Sequence, residues 1–290
     1  MSRGLGDVYK RQKECSESGR NALKEKRVIT SYLAGKNNGA VILSEDEGTS
    51  VLLNGEDHVR IQVLCNGMDI QSCFKKANEI DDYIDAHFDY AFDEKYGYKT
   101  TYPTNTGTGM KAGYTLHLPS LSDARRLNDI SAELGRFGLK FRTVYGDGQN
   151  GYGNLYQIST QKTLGQDERE VIKDLDDIVL QIVNQEKEQR EHFYKKDKIQ
   201  MDDEIYKSYG VLKYARKLSL KDSMVLISEL MTGVSLGVLQ FAHNGRYNIN
   251  ELIMDIQPAV LRQNSGKAMS VAETDVLRAE YIRKYLPEII

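Results

Sequence analysis

The chain has 290 residues, of which 40% are hydrophobic and 28% charged, and its formal net charge is −3. These values are ordinary for a globular protein, and the small negative charge excludes a general attraction to nucleic acids or anionic membranes. No apolar run approaches the ~18 residues of a spanning helix, and Cys15, Cys65 and Cys73 fit neither a disulfide framework nor a zinc motif. The composition therefore predicts a cytoplasmic protein without a membrane segment.

The N-terminal segment is polar and shows no periodic apolar face. Its opening, residues 2–12, has the character of a sequence artefact rather than of a native start. We therefore expect residues 1–26 to be disordered or non-native, and we expect regular structure to begin at residue 27.

The next part of the chain has a strand-like pattern followed by a helical one. Apolar residues cluster or alternate at 41–43, 51–53 and 58–63, which predicts three strands. Between residues 69 and 96, apolar side chains recur three or four positions apart, and this spacing predicts one long amphipathic helix.

A glycine-rich turn at residues 103–109 separates that helix from a second group of strands. Ser122 is placed to cap a helix that ends near residue 138. The remaining predicted elements are strands at 111–118, 139–145 and 154–159, a loop at 146–153 and a long helix at 166–194.

The pattern becomes helical throughout after residue 198. Ser219 with Asp222, and Asn248 with Glu251, have the spacing of helix N-caps and their partners. We predict helices at 205–218, 219–239, 248–261 and 271–286. The domain prediction is a catalytic domain at 27–198 and a helical C-terminal domain at 199–290.

Charged side chains share one face of a predicted strand near residue 60. A period of two places Glu56, His58, Arg60 and Gln62 together, opposite a set of apolar residues. Such a face is compatible with a polar floor of a binding site, and equally with the solvated side of an antiparallel sheet.

Two further strands favour the binding site over the solvated face. In one strand Lys111, Gly113, Thr115 and His117 share a face, directly after the glycine-rich turn, whose backbone amides are suited to phosphate oxygens. In another, Arg142 shares a face with Lys140 and precedes the loop that carries Asp147. Cations from three strands beside carboxylates suggest a site for a polyanion and a cationic group.

Several motifs resemble the signature blocks of the ATP:guanido phosphotransferases, the phosphagen kinases. The most specific are Asn-Gly-Glu-Asp-His-Val-Arg at residues 54–60 and Pro-Thr-Asn-Thr-Gly-Thr-Gly at 103–109. Further resemblances lie at 43–47 and 163–165, so that the match runs from about residue 26 to 165. The forms at 153–159 and 208–212 resemble the bacterial protein arginine kinases of the McsB type rather than the animal arginine or creatine kinases.

The resemblance implies an α+β fold, in which a large antiparallel sheet flanked by helices forms a guanido kinase catalytic domain, related to glutamine synthetase. It implies transfer of the γ-phosphoryl group of ATP to arginine residues in proteins, with Glu56 as the catalytic carboxylate. A guanidinium has a pKa above ~12 and no free lone pair, so a carboxylate must align it and accept its proton.

The resemblance also implies how the nucleotide is held. Magnesium is expected to bind with the ATP phosphates, and no metal site made of protein side chains is expected. The implied ATP-binding residues are Arg60, Lys111, Ala112, Gly113, Tyr114, Thr115, Arg142, Thr143, Val144, Tyr145, Gly146 and Asp147.

The chain departs from the family pattern at several positions, and these departures keep a second function open. Lys111 replaces an arginine, Tyr102 a cysteine, and Asn150 an acidic residue; Tyr32 replaces a nucleotide-contacting histidine, and Asp147 shortens a glutamate. A Ser-Arg-x-Arg nucleotide block has no counterpart, so we expect an N-terminally truncated chain. The alternative is a degenerate pseudokinase that binds nucleotide or phosphoarginine without catalysis.

A C-terminal segment, residues 274–279, resembles the family's Arg-Asp-x-x-Arg-Ala phosphoarginine-sensing motif, with Thr274 in place of the first arginine. Asp275 and Arg278 are the implied sensing residues, although a pair with this spacing is also common on ordinary surface helices. The resemblance further implies a role in protein quality control and stress response. Its implied partners are protein substrates with exposed arginine, a Clp-type protease chaperone, a stress repressor and a second copy in a homodimer.

Overall fold

A computed structural model describes residues 8–11, 15–147, 150–242 and 249–290. The chain forms two compact units, each made of separate stretches: unit 1 contains Met1–Ala112 and Thr160–Asp176, and unit 2 contains Gly113–Ser159 and Asp177–Ile290. Helices combine with antiparallel sheets, which confirms the α+β fold class. The described strands form sheets of four and three strands and two short hairpins.

The larger sheet belongs to unit 1. Its antiparallel order is β1 (Val8–Arg11), β2 (Ala40–Leu43), β3 (Thr49–Leu53) and β4 (Val59–Val63). The three strands predicted between residues 41 and 63 are therefore confirmed. Apolar residues of β2 and β3 pack with two short helices in a buried cluster that comprises Leu23, Val28, Ile29, Leu33, Val41, Leu43 and Leu52.

The segment before residue 27 differs from the expectation of disorder. Helix α1 (Glu17–Glu25) begins at Ser16, whose side chain accepts a hydrogen bond from the Gly19 N–H at 3.1 Å. Ala22 and Leu23 are buried. A single short apolar stripe of two residues is too weak to be recognised as periodicity, although it anchors the helix. Helix α2 (Ser31–Ala34) follows.

The long helix predicted for residues 69–96 is wrong in its C-terminal part, because α3 ends at Asp85 (Ile70–Asp85). A hairpin follows, formed by β5 (Phe92–Asp93) and β6 (Gly97–Tyr98). The Asp93 carboxylate accepts hydrogen bonds from the N–H groups of Lys95 and Tyr96 at 3.0 and 3.1 Å. Such a side-chain turn competes with a helix.

Unit 2 contains a three-stranded antiparallel sheet in the order β7 (Gly113–His117), β11 (Leu155–Thr160), β8 (Leu139–Thr143). Tyr114 and Leu116 are buried, and Gly113 and Thr115 are exposed, which confirms the predicted alternation along β7. The predicted loop between β8 and β11 contains a short hairpin of β9 (Gly146–Asp147) and β10 (Asn150–Gly151).

Two helices replace the single helix that was predicted to start at Ser122. Helix α4 (Pro119–Asp123) is separated from α5 (Leu127–Arg136) by Arg125, whose φ of 59° is left-handed and stops the helix. Glu186 accepts hydrogen bonds from the Ser120 and Leu121 N–H groups at 3.1 and 2.9 Å. A distant carboxylate therefore caps α4, and Ser122 does not.

The C-terminal part is helical, as predicted. Ser219 caps α8 by accepting a hydrogen bond from the Asp222 N–H at 3.1 Å, whereas Asn248 lies outside the described residues. The predicted helix at 248–261 is divided, because Pro258 starts a new helix after the extended Gln257. The helices are α6 (Glu168–Lys196), α7 (Lys198–Tyr214), α8 (Leu220–Ser235), α9 (Ile249–Asp255), α10 (Pro258–Ser265) and α11 (Val271–Tyr285).

Apolar side chains of α7, α8, α9 and α11 form a buried cluster in unit 2 together with Leu155 of β11. Among the helices that the structure describes, none is long and apolar enough to cross a bilayer.

Candidate functional site

Glu56 lies in the tight loop that joins β3 to β4. Leu53 pairs with Val59 across the hairpin, and the Asn54 N–H donates to the His58 carbonyl at 2.8 Å. Asn54 has a φ of 57°, a conformation that asparagine tolerates better than most residues. The local sequence therefore closes the loop and presents Glu56 at its end.

Two threonines from other parts of unit 1 hold this loop. The Thr30 hydroxyl donates to Oε2 of Glu56 at 3.0 Å. The Thr101 hydroxyl donates to the Glu56 carbonyl at 2.8 Å, and the Thr101 N–H donates to Oδ1 of Asp57 at 2.7 Å. The half-buried Glu56 carboxylate is thus oriented by a neutral donor and keeps acceptor capacity for a cationic ligand.

The polar face predicted along β4 is present only in part. Arg60 is exposed and pairs in register with Leu52 of β3. His58 is exposed as well. Gln62 instead donates from Nε2 to the Arg27 carbonyl at 2.6 Å, so that it fastens the chain after α1 to the sheet. The predicted site residues on this face are therefore Glu56 and Arg60.

The backbone amides of Gly107 and Thr108 in the glycine-rich turn are used in contacts within unit 1 rather than presented to a ligand. The Gly107 N–H donates to the Tyr98 carbonyl at 3.3 Å, and the Thr108 N–H donates to the Thr163 carbonyl at 3.0 Å. Gly107 has a φ of 116°, and a Cβ there would overlap the Thr163 carbonyl oxygen. The Thr163 hydroxyl donates to the Thr106 carbonyl at 2.6 Å. These internal contacts correct the expectation of a phosphate cradle in this turn.

In unit 2, three polar side chains cross the exposed face of the three-stranded sheet. Nε of Arg142 donates to Oε1 of Gln157 at 2.8 Å, and Gln157 pairs in register with Thr115. The guanidinium of Arg142 is thereby held on the surface of the sheet. Sequence reasoning missed Gln157. The available signal was its position on an alternating strand, two residues before Ser159.

The remaining predicted nucleotide-binding residues are distributed over both units. Lys111 is exposed in unit 1, where the Ala112 N–H donates to Oγ1 of Thr160 at 3.1 Å. In unit 2, the backbone of Gly113 packs closely on the Ile158 carbonyl. Tyr114 is buried, Thr143, Val144 and Tyr145 are half-buried, Gly146 is exposed, and the side chains of Asp147 and Asn150 lie outside the described residues.

His117 lies on the same face of β7 as Gly113 and Thr115, but it is half-buried where the sequence predicted exposure. Its Nε2 lies 2.8 Å from the Ser228 hydroxyl of α8, which also accepts from the Asn154 amide at 3.1 Å. Burial, and then the nearby Arg190, lower the pKa of His117 to about 3. The ring is therefore neutral at neutral pH and links β7 to α8.

Asp275 and Arg278 form a buried pair on α11. The Arg278 side chain is 1% exposed; its Nε donates to the Ile256 carbonyl at 2.9 Å, and its Nη1 donates to the Leu218 carbonyl at 2.9 Å. Nη1 also donates to Oδ1 of Asp275 at 2.6 Å. The pair therefore joins α11 to the end of α9 and to the chain before α8, and the surface-helix alternative is wrong.

Among the described residues, no group of three or more histidine, cysteine, aspartate or glutamate side chains is arranged to hold a metal ion. His87 and His192 contact aromatic neighbours, Tyr83 and Phe193, and His243 lies outside the described residues.

Two family models match the chain in succession. Residues 4–189 match the ATP:guanido phosphotransferase C-terminal catalytic domain, and residues 198–289 match the protein-arginine kinase McsB C-terminal domain. A protein-arginine kinase of Bacillus pumilus is 40% identical over 96% of this chain and 76% of the relative. One of Bacillus subtilis is 39% identical over 98% of this chain and 78% of the relative.

Two solved structures share the fold. A taurocyamine kinase of Schistosoma mansoni with transition-state analogue components has a TM-score of 0.55 and 24% identity, over 61% of this chain and 26% of its own. A lombricine kinase has a TM-score of 0.54 and 20% identity, over 64% of this chain and 55% of its own. At these identities the likeness concerns the fold alone.

Proposed function

Since the chain belongs to the ATP:guanido phosphotransferase family, in its protein-arginine kinase branch, we propose that it transfers the γ-phosphoryl group of ATP to arginine side chains of proteins. The single observation that carries the assignment to a site is the Glu56 carboxylate, fixed in its loop by Thr30 and Thr101. The relatives support a kinase and give no support to the pseudokinase alternative.

Glu56 supplies the chemistry that an arginine nucleophile requires. Its carboxylate aligns the guanidinium and accepts a proton as a guanidinium nitrogen attacks the γ-phosphorus. The new bond joins nitrogen to phosphorus, and the bond from the γ-phosphorus to the bridging oxygen breaks, which releases ADP. Because the Thr30 hydroxyl already occupies one position on Oε2, the orientation of the carboxylate is set before the substrate binds.

Arg60, Lys111 and Arg142 are exposed cations, which suits them to the oxygens of a polyphosphate. Phosphoryl transfer is accelerated mainly by positioning and by neutralising charge. Magnesium, when bound with ATP, would share this neutralisation. We propose the same nucleotide-binding role for Ala112, Gly113, Tyr114, Thr115, Thr143, Val144, Tyr145, Gly146 and Asp147.

The test is the formation of phosphoarginine from ATP on an arginine-rich protein, followed by phosphorus NMR. We expect a phosphorus signal of the acid-labile N–P type that depends on both ATP and magnesium. Binding of ATP to the chain without any such signal would contradict the kinase assignment.

Replacing Thr30 by valine tests the preorganisation of Glu56. We expect the kcat for phosphoarginine formation to fall roughly tenfold, since an oriented group loses part of its effect when it can rotate. The KM for ATP should be unchanged. Thr30→Ser keeps both the hydrogen bond to Glu56 and the cap of α2, and it should retain the wild-type kcat. Equal rates for all three proteins would contradict this role.

We also propose that Asp275 and Arg278 on α11 take part in phosphoarginine sensing. Arg278 connects α11 to the segment after α9 and to the segment before α8, because its described hydrogen bonds are to the buried residues Ile256, Leu218 and Asp275.

A domain boundary near residue 198 is supported by the two family models, which match on either side of it.

The biological setting is a proposal that follows from the family. We propose a cytoplasmic quality-control and stress-response enzyme that acts on proteins with exposed arginine, together with a Clp-type protease chaperone and a stress repressor. The three free cysteines support a reducing compartment. We further propose a homodimer, which sedimentation of the purified chain would detect.

A further inference from the structure

Large aromatic side chains are exposed together on unit 1, at the end of α3 and on the β5–β6 hairpin. Tyr83, Phe88, Phe92 and Tyr96 have exposed fractions of 67%, 69%, 55% and 50%. Aromatic side chains that are grouped on a surface mark sites of interaction, whereas single exposed apolar residues are ordinary.

The same segment is strongly acidic. Residues 79–94 contain seven carboxylates and no lysine or arginine; Lys95 follows directly, and its Nζ lies 5.2 Å from the centroid of the Tyr96 ring. Within the part of the chain that the structure describes, the one ion pair of these carboxylates joins Asp93 to Lys99 at 3.6 Å. We call this surface the acidic aromatic face; it consists of the four aromatic residues above with Glu79, Asp81, Asp82, Asp85, Asp89, Asp93 and Glu94.

Neighbouring ionisable groups respond to this negative charge. Burial raises the pKa of Glu168, and the charge of Asp81 raises it further. Burial also raises the pKa of Tyr98, with added contributions from Asp81 and Asp85. The negative charge of Asp81 therefore raises the pKa of both Glu168 and Tyr98, and that of Asp85 also raises the pKa of Tyr98.

The face is held by specific contacts. The Tyr90 hydroxyl donates to Oδ1 of Asp81 at 2.9 Å, which links the hairpin region to α3. The Tyr98 ring lies edge-on to Phe92, with 5.2 Å between ring centroids. The Tyr98 N–H donates to the Gly107 carbonyl at 2.8 Å. A surface built in this way is largely preorganised for a ligand.

The face is connected within unit 1 to the loop of Glu56. Three residues after Tyr98, Thr101 donates to the Glu56 carbonyl and to Asp57. Thr101 therefore links the chain after the β5–β6 hairpin to the loop that carries the proposed catalytic carboxylate.

We propose that the acidic aromatic face binds a positively charged, arginine-bearing segment of the protein substrate. The proposal rests on the proposed function and names what selects its substrate. Guanidinium groups stack on aromatic rings and pair with carboxylates, and residues 79–96 carry both kinds of partner at exposed positions. Flanking arginines occupy the face while one arginine reaches Glu56.

The experiment measures peptide binding without nucleotide. A fluorescent 20-residue peptide with several arginines is titrated with the wild-type chain and with the Tyr83→Ser/Phe88→Ser variant, and anisotropy is recorded. We expect the double variant to bind about tenfold more weakly. Phe137→Ser is the matched control, since Phe137 is 63% exposed in unit 2, and it should bind as the wild type does. Equal affinity for the double variant and the wild type overturns the proposal, and so does a wild type that does not bind the peptide.

A second variant removes charge and leaves the aromatic side chains in place. Asp82→Asn/Asp85→Asn/Asp89→Asn should also weaken peptide binding, and the salt dependence of binding should decrease. The lysine version of the peptide should bind more weakly than the arginine version. Equal binding of the two peptides would overturn the role assigned to guanidinium stacking.

Kinetics separate the face from the reaction centre. For the Tyr83→Ser/Phe88→Ser variant we expect a raised KM for the 20-residue peptide, an unchanged kcat, and unchanged kinetics with an arginine tripeptide too short to reach the face. Loss of peptide binding together with a shift from dimer to monomer in sedimentation would overturn the proposal in favour of a second copy as the occupant. Because binding is measured without ATP, failure of phosphoryl transfer alone would contradict only the proposed function.

Discussion

Replacing Glu56 by glutamine is expected to lower the rate of phosphoarginine formation about 10²- to 10⁴-fold, the usual contribution of a positioned acid or base. The amide has nearly the volume of the carboxylate and can still accept a hydrogen bond from Thr30. It cannot take up a proton from the attacking guanidinium, and it carries no charge to align the guanidinium. The measurement is the initial rate of phosphoarginine formation at saturating ATP, by phosphorus NMR or by ADP release.

Two observations make the Glu56→Gln result interpretable. The affinity for ATP should stay within about twofold of the wild type, because Glu56 is assigned to the guanidinium and not to the nucleotide. Glu45→Gln, at an exposed position in the turn between β2 and β3, should leave the rate unchanged. If Glu56→Gln transferred phosphate at the wild-type rate, another group would have to accept the proton, and the assignment of this site would be wrong.

Replacing Arg278 by leucine is expected to lower the free energy of unfolding by about 3–5 kcal/mol, as the loss of one partner of a buried ion pair does. Asp275 would keep a buried charge without its partner, and the carbonyls of Ile256 and Leu218 would lose their donors. The measurement is urea unfolding followed by circular dichroism.

Lys284→Leu is the control for that experiment, because Lys284 is an exposed cation on the same helix, and it should change stability by less than about 0.5 kcal/mol. The double variant Asp275→Leu/Arg278→Leu should recover part of the lost stability, since it leaves no unpaired charge. An Arg278→Leu protein as stable as the wild type would show that α11 does not need the buried guanidinium.

The sequence was most informative where one side of an element is buried and the other is not. The alternation along β7 is reproduced because Tyr114 and Leu116 face a core while Gly113 and Thr115 do not. The strands on either side of Glu56 were likewise predicted and pair in register, although Glu56 itself lies in the loop between them and not on the strand face. Local pattern and tertiary environment agree at these positions.

The failures occur where a distant residue decides the local structure. Glu186 caps α4, although it is 66 residues away from Ser120 in the sequence. No local sequence pattern could therefore predict this cap. His117 alternates with apolar neighbours as an exposed residue would, yet it packs against Ser228 of α8. Arg278 has the spacing of a surface pair, and only the carbonyls of Ile256 and Leu218 explain its burial.

The division of unit 1 into two stretches affects how the protein is made. Its residues 1–112 leave the ribosome first, but Thr163, which holds the turn at Gly107, belongs to the stretch 160–176. At roughly 5–20 residues per second, about 3–13 seconds separate the synthesis of residue 112 from that of residue 176. During this interval the turn at Gly107 lacks its partner Thr163, and the nascent chain is open to chaperones. The loop of Glu56 and its two supporting threonines, Thr30 and Thr101, are therefore synthesised before the residues that hold the turn at Gly107.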